Sequence, residues 1–388
     1  MAFYHWKLFH YSLPFKEPLI LLGREVRERE GLILRLHNEN ERNSINKNFG
    51  EGEIAPLSGM HPESLLEAEN QILDYLSGNF NPDTNSTTLF KSVNFGLDMA
   101  LRSMFQTSID SEINNSKQIL NASDKSKMFD YKSSKSELST QIIPVNGLAV
   151  GSGTALKKEC EEIRKNGFKT AKLKVGQLNI FQDIERVRLA RQVLGNEITL
   201  SLDANRAWDW DEALEFAEVM QDYDIEYCEE PLIDSNKLEQ LHQQTGMPLA
   251  LDETLWHAPI PNTDFPAANI SLSGIKVLIL KPGILGGWDK TKMWIEYAQK
   301  NGIHCILSSC FESGMGLNWI AFMAKNLLTE QFTAGLDTSK WFEQDLIEPR
   351  FSLQNGNYVF PESWPLSKDA FLKKIADGTC EIGDLEYV

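Results

Sequence analysis

At 388 residues, with 42% hydrophobic and 24% charged content, the chain has the composition of a globular protein and the length of a large barrel with an extra domain. A formal net charge of −17 argues against nucleic acid or an anionic membrane as partner. The five cysteines are scattered with no CxxC pair, the N-terminus has no basic segment followed by an apolar run, and no apolar stretch approaches the about 18 residues of a membrane helix, so the chain reads as soluble and cytoplasmic, with reduced thiols.

In chain order, Phe3–Leu13 alternates aromatic and polar residues, Gly31–Leu36 reads as a second strand, and a polar stretch from His37 to Asn48 leads to a third at Gly52–Leu57. Pro62-Glu63-Ser64-Leu65 opens a helix running to about Leu76, and Val93–Phe105 forms another. Strands followed by segregated helices predict a small α+β capping domain over residues 1–106. Residues 107–141 are dominated by Ser, Lys, Asn and Asp and read as an exposed insertion or linker, with a short helix near Ile113–Leu120.

From Ile142 short apolar strands alternate with amphipathic helices. Strands are expected at Pro144–Val150, Thr170–Val175, Ile198–Asp203, Ile225–Glu229, Pro248–Asp252, Ala267–Ile270, Gly274–Leu280, His304–Ser308 and Thr333–Leu336. The rhythm predicts a modified (β/α) barrel of the triosephosphate-isomerase type over residues 142–344, and an α/β fold class for the whole. No Gly-x-Gly-x-x-Gly follows the first strand, so a dinucleotide-binding fold lacks support. Residues 345–388 alternate at Asp345–Pro349, Asn355–Pro361 and Gly383–Val388, suggesting irregular strands that return to the capping domain.

Chemistry in such a barrel sits at the C-terminal ends of the strands. Lys172 and Lys174 point to one face of their strand, because residues two apart share a face. The next strand ends with Asp203 and Asn205, the following ones with Glu229 and Glu230, with Asp252 and Glu253, and with Lys281. Carboxylates gathered on three successive strand ends repel one another, and a divalent cation resolves the repulsion. All-oxygen ligands favour Mg²⁺, with Mn²⁺ as the alternative, over zinc. A metal beside a partly desolvated lysine is the equipment for removing a proton α to a carboxylate. His257 and His304 have no metal-site spacing, and Cys228 and Cys310 read as packing residues.

These residues resemble the enolase superfamily and, within it, the o-succinylbenzoate synthases of menaquinone biosynthesis. The likeness rests on Gly50-Glu51-Gly52-Glu53-Ile54-Ala55-Pro56-Leu57-Ser58-Gly59, Phe95 to Leu101, Lys172-x-Lys174, Asp203-Ala204-Asn205, Glu229-Glu230-Pro231, Asp252-Glu253, Lys281-Pro282, Ser308 to Ser313 and Gly335 to Thr338. The resemblance implies that Asp203, Glu229 and Asp252 bind Mg²⁺, with Glu229 preferred over Glu230. It implies Lys174 as catalytic base, Lys172 as the residue that tunes it, and Lys281 across the substrate as a cation stabilising an enediolate. Ser308, Gly335 and Asn205 would contact the substrate, and loops near Leu22-Gly23-Arg24 and Ser58-Gly59-Met60 would cap the pocket. The implied activity is a Mg-dependent dehydration of a small-molecule carboxylate. N-acylamino acid racemase, dipeptide epimerase and muconate cycloisomerase are alternatives on the same residues, a non-catalytic metal-binding protein is the rival from another class, and homo-oligomerisation is left open.

Overall fold

The computed structural model describes residues 2–21, 23–38, 49–78, 89–115, 142–261, 270–328, 333–361 and 365–382. The first unit is an antiparallel sheet. Strands β1 (Ala2–Leu21), β2 (Arg24–Asn38) and β3 (Phe49–Ile54) are joined by the late strand β14 (Lys373–Ile382) in the order β14-β1-β2-β3. Alternation explains how it packs. Tyr4, Trp6 and Leu8 with Leu32, Leu34 and Leu36 form one buried cluster with helices α1 (Leu65–Leu76) and α2 (Lys91–Asn115). Phe9, Tyr11, Leu13, Phe15 and Ile33 point the other way and join the barrel core. The sheet is thus buried on both faces where it meets the barrel.

On β3 the same period separates glycines from carboxylates. A Cβ on Gly50 would meet the Ala100 carbonyl oxygen at 1.9 Å, and one on Gly52 the Gly96 oxygen at 1.7 Å, so glycine at both positions lets α2 lie against the strand. Glu51 and Glu53 are buried and point away from α2, into the seams with the C-terminal segment and the barrel. Glu53 accepts from Ser313 N (2.9 Å), Ser313 Oγ (2.7 Å), Gly316 N (2.9 Å) and the Tyr11 hydroxyl. It therefore satisfies orphan amides at the start of α10 (Gly314–Leu327) and docks the cap there. Ser64 caps α1 in a capping box with Glu67.

The barrel follows. After β4 (Ile142–Pro144), seven strands run parallel in sequence order: β5 (Gly147–Ala149), β6 (Thr170–Lys174), β7 (Thr199–Asp203), β8 (Ile225–Glu229), β9 (Leu249–Leu251), β10 (Ile275–Leu280) and β11 (His304–Leu307). The crossovers carry α3 (Gly153–Lys165), α4 (Ile180–Leu194), α5 (Trp210–Met220), α6 (Leu238–Thr245), the single turns α7 (Glu253–Trp256) and α8 (Pro282–Leu285), and α9 (Trp288–Lys300). Residues 334 and 335 bridge both edges, Ala334 to Val145 and Gly335 to Ser308, so the last expected strand is present as two bridges and closes the sheet. Tyr227, Ala250, Val277, Ile279 and Ile306 fill the lumen below the strand ends. Beyond the barrel, β13 (Asn357–Val359) pairs antiparallel with β4 on one side and with β12 (Leu353–Gln354) on the other.

Several expectations are adjusted. The first hairpin is far longer than Phe3–Leu13 and Gly31–Leu36, and α2 continues to Asn115, absorbing the start of the helix expected near Ile113. Residues 39–48, 116–141, 262–269 and 383–388 lie outside the described residues, and with them the rest of the insertion, most of the strand expected at Ala267–Ile270 and the one at Gly383–Val388. Among the described residues, no helix is long and apolar enough to cross a membrane.

Candidate active site

Register brings the charges together. In the parallel ladder Lys174 pairs with Asp203, and Asp203 with Glu229, at the ends of β6, β7 and β8. Glu229 pairs with Ala250 on β9, two residues before Asp252. On β6 the burial alternates, with Ala171 and Leu173 packed outward among the helices and the two lysines turned to the lumen side. Tyr227, on the same face as Glu229, lies in the lumen cluster, whereas Cys228 packs in the outer core.

Asp203, Glu229 and Asp252 are at most 1% exposed, and each meets an ammonium group. Lys172 Nζ bridges Glu229 Oε2 (2.6 Å) and Asp203 Oδ2 (2.8 Å). Lys174 Nζ lies 2.8 Å from the same Asp203 oxygen. Lys281 donates to Asp252 Oδ2, and its Nζ stands 5.2 Å from the centroid of the Trp256 ring, a cation–π contact. The Trp256 indole donates to Asp252 Oδ1 (2.9 Å), one helical turn away, so this tryptophan orients both members of the pair.

Electrostatics follow from burial and pairing. Burial would raise Asp203, but Lys172 and then Lys174 hold it far below the usual carboxylate range. Burial, and then the charge of Asp203, push Glu229 well upward, with Lys172 only partly opposing. Burial pushes Lys172 down, and Asp203 followed by Glu229 more than reverse this, so Lys172 is held charged. Lys281 is likewise held charged, burial being outweighed first by Asp252. Burial, then Asp252, raise Glu253 to about 7.

Among the described residues no three His, Cys, Asp or Glu side chains form a ready-made metal cage; the ammonium groups bridge the carboxylates instead. The donor set nevertheless fits a hard divalent cation. It is all oxygen, and among the described residues Glu229 Oε1 is buried without a hydrogen-bond partner, an acceptor left open there.

Glu230 does a different job from Glu229. It is fully buried, and Oε1 accepts from Asp252 N (3.0 Å) and Thr254 N (2.7 Å), while Oε2 accepts from Arg206 Nε (3.0 Å) and Thr254 Oγ1 (3.0 Å). It thereby fixes the backbone that carries Asp252. Asn205 and Arg206 have φ of 44° and 59°, in the left-handed region, and turn the chain sharply after β7. The Asn205 amide is engaged within the protein, accepting from Lys174 Nζ (2.6 Å) and donating to Glu253 Oε1 (2.9 Å). Ser308 N bonds Leu280 O (2.9 Å) beside Lys281, and its Oγ lies 3.3 Å from Gly335 O, so these two expected contacts meet at the same rim.

Above the rim, Met60 packs with Trp256, Ile284 and Cys310, and Arg24 Nη1 donates to Ser58 Oγ (2.7 Å), tying the two expected capping loops together. Leu22 lies outside the described residues. The roles of Glu230, Arg206 and Trp256 escape sequence reading. Alternation sets Glu230 apart from Glu229, and Trp256 follows Asp252 at helical spacing, but neither signal names the partner.

A closed parallel sheet with its charges on successive strand ends, met by an antiparallel cap, is the architecture of a barrel enzyme, and the charged rim is its candidate site. Residues 155–364 match the family described as "Enolase C-terminal domain-like" and residues 3–104 the "MenC, N-terminal domain". The chain belongs to the enolase superfamily. It is 31% identical over 358 residues to the o-succinylbenzoate synthase of Vibrio cholerae serotype O1 (strain M66-2), covering 89% of this chain and 92% of that relative. It is 27% identical over 363 residues to "Protein PHYLLO, chloroplastic" of Arabidopsis thaliana, covering 82% of this chain but only 20% of that much longer protein. Among solved structures, a dipeptide epimerase from Cytophaga hutchinsonii complexed with Mg and dipeptide D-Ala-L-Val superposes with a TM-score of 0.73 at 21% identity, covering 98% of this chain and 100% of that one.

Proposed function

We propose that the chain is an o-succinylbenzoate synthase, a lyase that removes water from 2-succinyl-6-hydroxy-2,4-cyclohexadiene-1-carboxylate to give 2-succinylbenzoate. The observation that carries this reading is the match of the cap to the MenC N-terminal domain, joined in one chain to a rim bearing lysines on opposite sides of a carboxylate cluster. The same reading takes residues 1–106 as the cap, 107–141 as an insertion, 142–344 as the catalytic barrel and 345–388 as a segment that returns to the cap; the pairing of β14 on β1 supports that return, while β13 of the same segment pairs with β4.

Asp203, Glu229 and Asp252 would hold Mg²⁺, which when bound supplies positive charge to the substrate's ring carboxylate and so acidifies its α-carbon. Lys174, as the free amine, takes the α-proton, and the C–H electron pair passes into the carboxylate. The resulting Lys174 ammonium then returns that proton to the hydroxyl on the same ring face. The C–O bond breaks, water leaves, and the ring becomes aromatic. Lys281 opposes the developing negative charge from across the site. Lys172 keeps Asp203 and Glu229 oriented. The Ser58–Met60 loop, with Met60 packed against Trp256, excludes water.

A second reading, dipeptide or N-acylamino acid epimerisation, is favoured by the likeness to the dipeptide epimerase and by the presence of both Lys174 and Lys281. One paired assay separates them. Purified protein with Mg²⁺ is given the diene, followed by absorbance of the aromatic product, and in parallel N-succinyl amino acids and dipeptides in D₂O, followed by α-deuterium uptake. Rapid dehydration with little exchange is expected; exchange without dehydration would replace the synthase reading by the epimerase one.

A further inference from the structure

We propose that Glu253 is a positioning residue for Lys174, acting through the side-chain amide of Asn205. The inference rests on the reading of Lys174 as the base. Lys174 Nζ makes two contacts, to Asp203 Oδ2 (2.8 Å) and to Asn205 Oδ1 (2.6 Å). As the free amine that takes the proton, Lys174 has two N–H directions and one lone pair. With both N–H groups held by these acceptors, rotation about the last bond of the side chain is stopped, and the lone pair is the direction through which the proton of the substrate is taken and given back.

The fixing works only if the Asn205 oxygen, and not its NH₂, faces the lysine. An isolated asparagine amide flips at little cost, and the lone pair of the free amine could accept from the flipped NH₂, so something must hold the orientation. Glu253 Oε1 does so by accepting from Asn205 Nδ2 at 2.9 Å. The Asn205 backbone is pinned as well. Its N–H donates to Asp203 Oδ1 (3.1 Å), and the next residue, Arg206, is anchored on Glu230 and on Thr254 Oγ1 (2.7 Å). The left-handed turn at Asn205 and Arg206 is therefore what aims the amide between the base and Glu253. Among the described residues the other oxygen of Glu253, Oε2, is buried and has no hydrogen-bond partner, and the side chain's one hydrogen bond there is to Asn205.

The test uses the full-length protein with Mg²⁺. Glu253→Ala is expected to lower kcat on the diene by about 10–100-fold, the effect of a small misplacement of a reacting group, with KM and Mg²⁺ affinity within about threefold of the parent. Glu253→Gln keeps an acceptor for Nδ2 and is expected to restore kcat to within about threefold of the parent. The double variant Asn205→Ala/Glu253→Ala should be no slower than Asn205→Ala alone, because the two residues act in series. Crystal structures of both Glu253 variants give a readout without substrate: Lys174 leaves Asn205 Oδ1 in Glu253→Ala and stays in Glu253→Gln. The proposal is overturned if Glu253→Gln falls as far as Glu253→Ala, if the loss is in KM or metal affinity, if the double variant is the product of the singles, or if Lys174 keeps its place in the Glu253→Ala crystal. If the parent protein fails to dehydrate the diene, the synthase reading falls, and the two crystal structures still decide the positioning role.

Discussion

Two groups of carboxylates are equally buried in this protein and are neutralised in opposite ways. At the seams, Glu53 is held by backbone amides and hydroxyls of α10 and β1, Asp345 accepts from Gly314 N (2.8 Å), Leu346 N (2.7 Å) and Phe351 N (3.2 Å), and Glu51 is held by Ser367 and Arg35. Their partners are mostly fixed dipoles, and every oxygen of Glu51 and Glu53 is engaged. At the rim, Asp203, Glu229 and Asp252 face the ammonium ends of Lys172, Lys174 and Lys281, and among the described residues one Glu229 oxygen is left open. Fixed dipoles lock domains together. Long side chains that share carboxylates can release them to a cation or a substrate, and that exchange is what a working site requires.

The contrast is broken most sharply at Lys174. Lys174→Ala removes a rim charge near solvent, and turnover of the diene should fall by about 10³-fold or more while the fold survives, since general acid–base groups commonly contribute about 10²–10⁴-fold. Rate measurements beside a thermal melt check this, and near-parental turnover would remove Lys174 from its role.

The reverse pattern is expected at the seam. Glu53→Ala strands the Tyr11 hydroxyl and the Ser313 and Gly316 amides in a buried interface and should cost about 4 kcal/mol, at roughly 1–3 kcal/mol for each buried unsatisfied group. Denaturant unfolding measures it. Turnover per folded molecule should change little, and a large loss of turnover at full stability would make Glu53 part of the site.

A smaller effect sharpens the comparison through pH. Burial, then the charge of Glu53, raise the Glu312 carboxyl from 4.5 to about 7. A carboxyl raised on folding binds its proton more tightly in the folded state. Its stabilising contribution is complete below about pH 4.5 and is lost as pH rises through about 7, a change of about 3 kcal/mol, since each tenfold difference in proton affinity is worth about 1.4 kcal/mol. Glu312→Gln keeps an acceptor for Cys310 N (2.5 Å) and should remove that fall between pH 5 and 8. Unfolding curves across this range that ran parallel in both proteins would show that Glu312 does not titrate there.

Much of the rim is legible in the sequence, because period-two alternation and strand ends are local properties. Lys172 and Lys174 share a face, and Asp203, Glu229 and Asp252 close successive strands, wherever the rest of the chain goes. The seams are not legible in this way. Gly50-Glu51-Gly52-Glu53 shows alternation, but the Ser313 amide and hydroxyl that Glu53 binds are 260 residues away, and nothing local says which segment covers a face. The strand β14 is hidden for a related reason. As an edge strand of the cap sheet it is mostly solvated, with Cys380 its buried hydrophobic residue, so it carries little apolar pattern. The left-handed turn at Asn205 and Arg206 depends on tertiary hydrogen bonds and gives no compositional sign beyond the asparagine itself.

The central claim, that the rim carboxylates form an exchangeable site and the seam carboxylates a locked one, is tested most directly by Mn²⁺ titration followed by water-proton relaxation in the parent protein, Glu229→Gln and Glu51→Gln. The account predicts a single bound ion in the parent, none in Glu229→Gln, and unchanged binding in Glu51→Gln. Binding that survives Glu229→Gln, or that is absent from the parent, would contradict it.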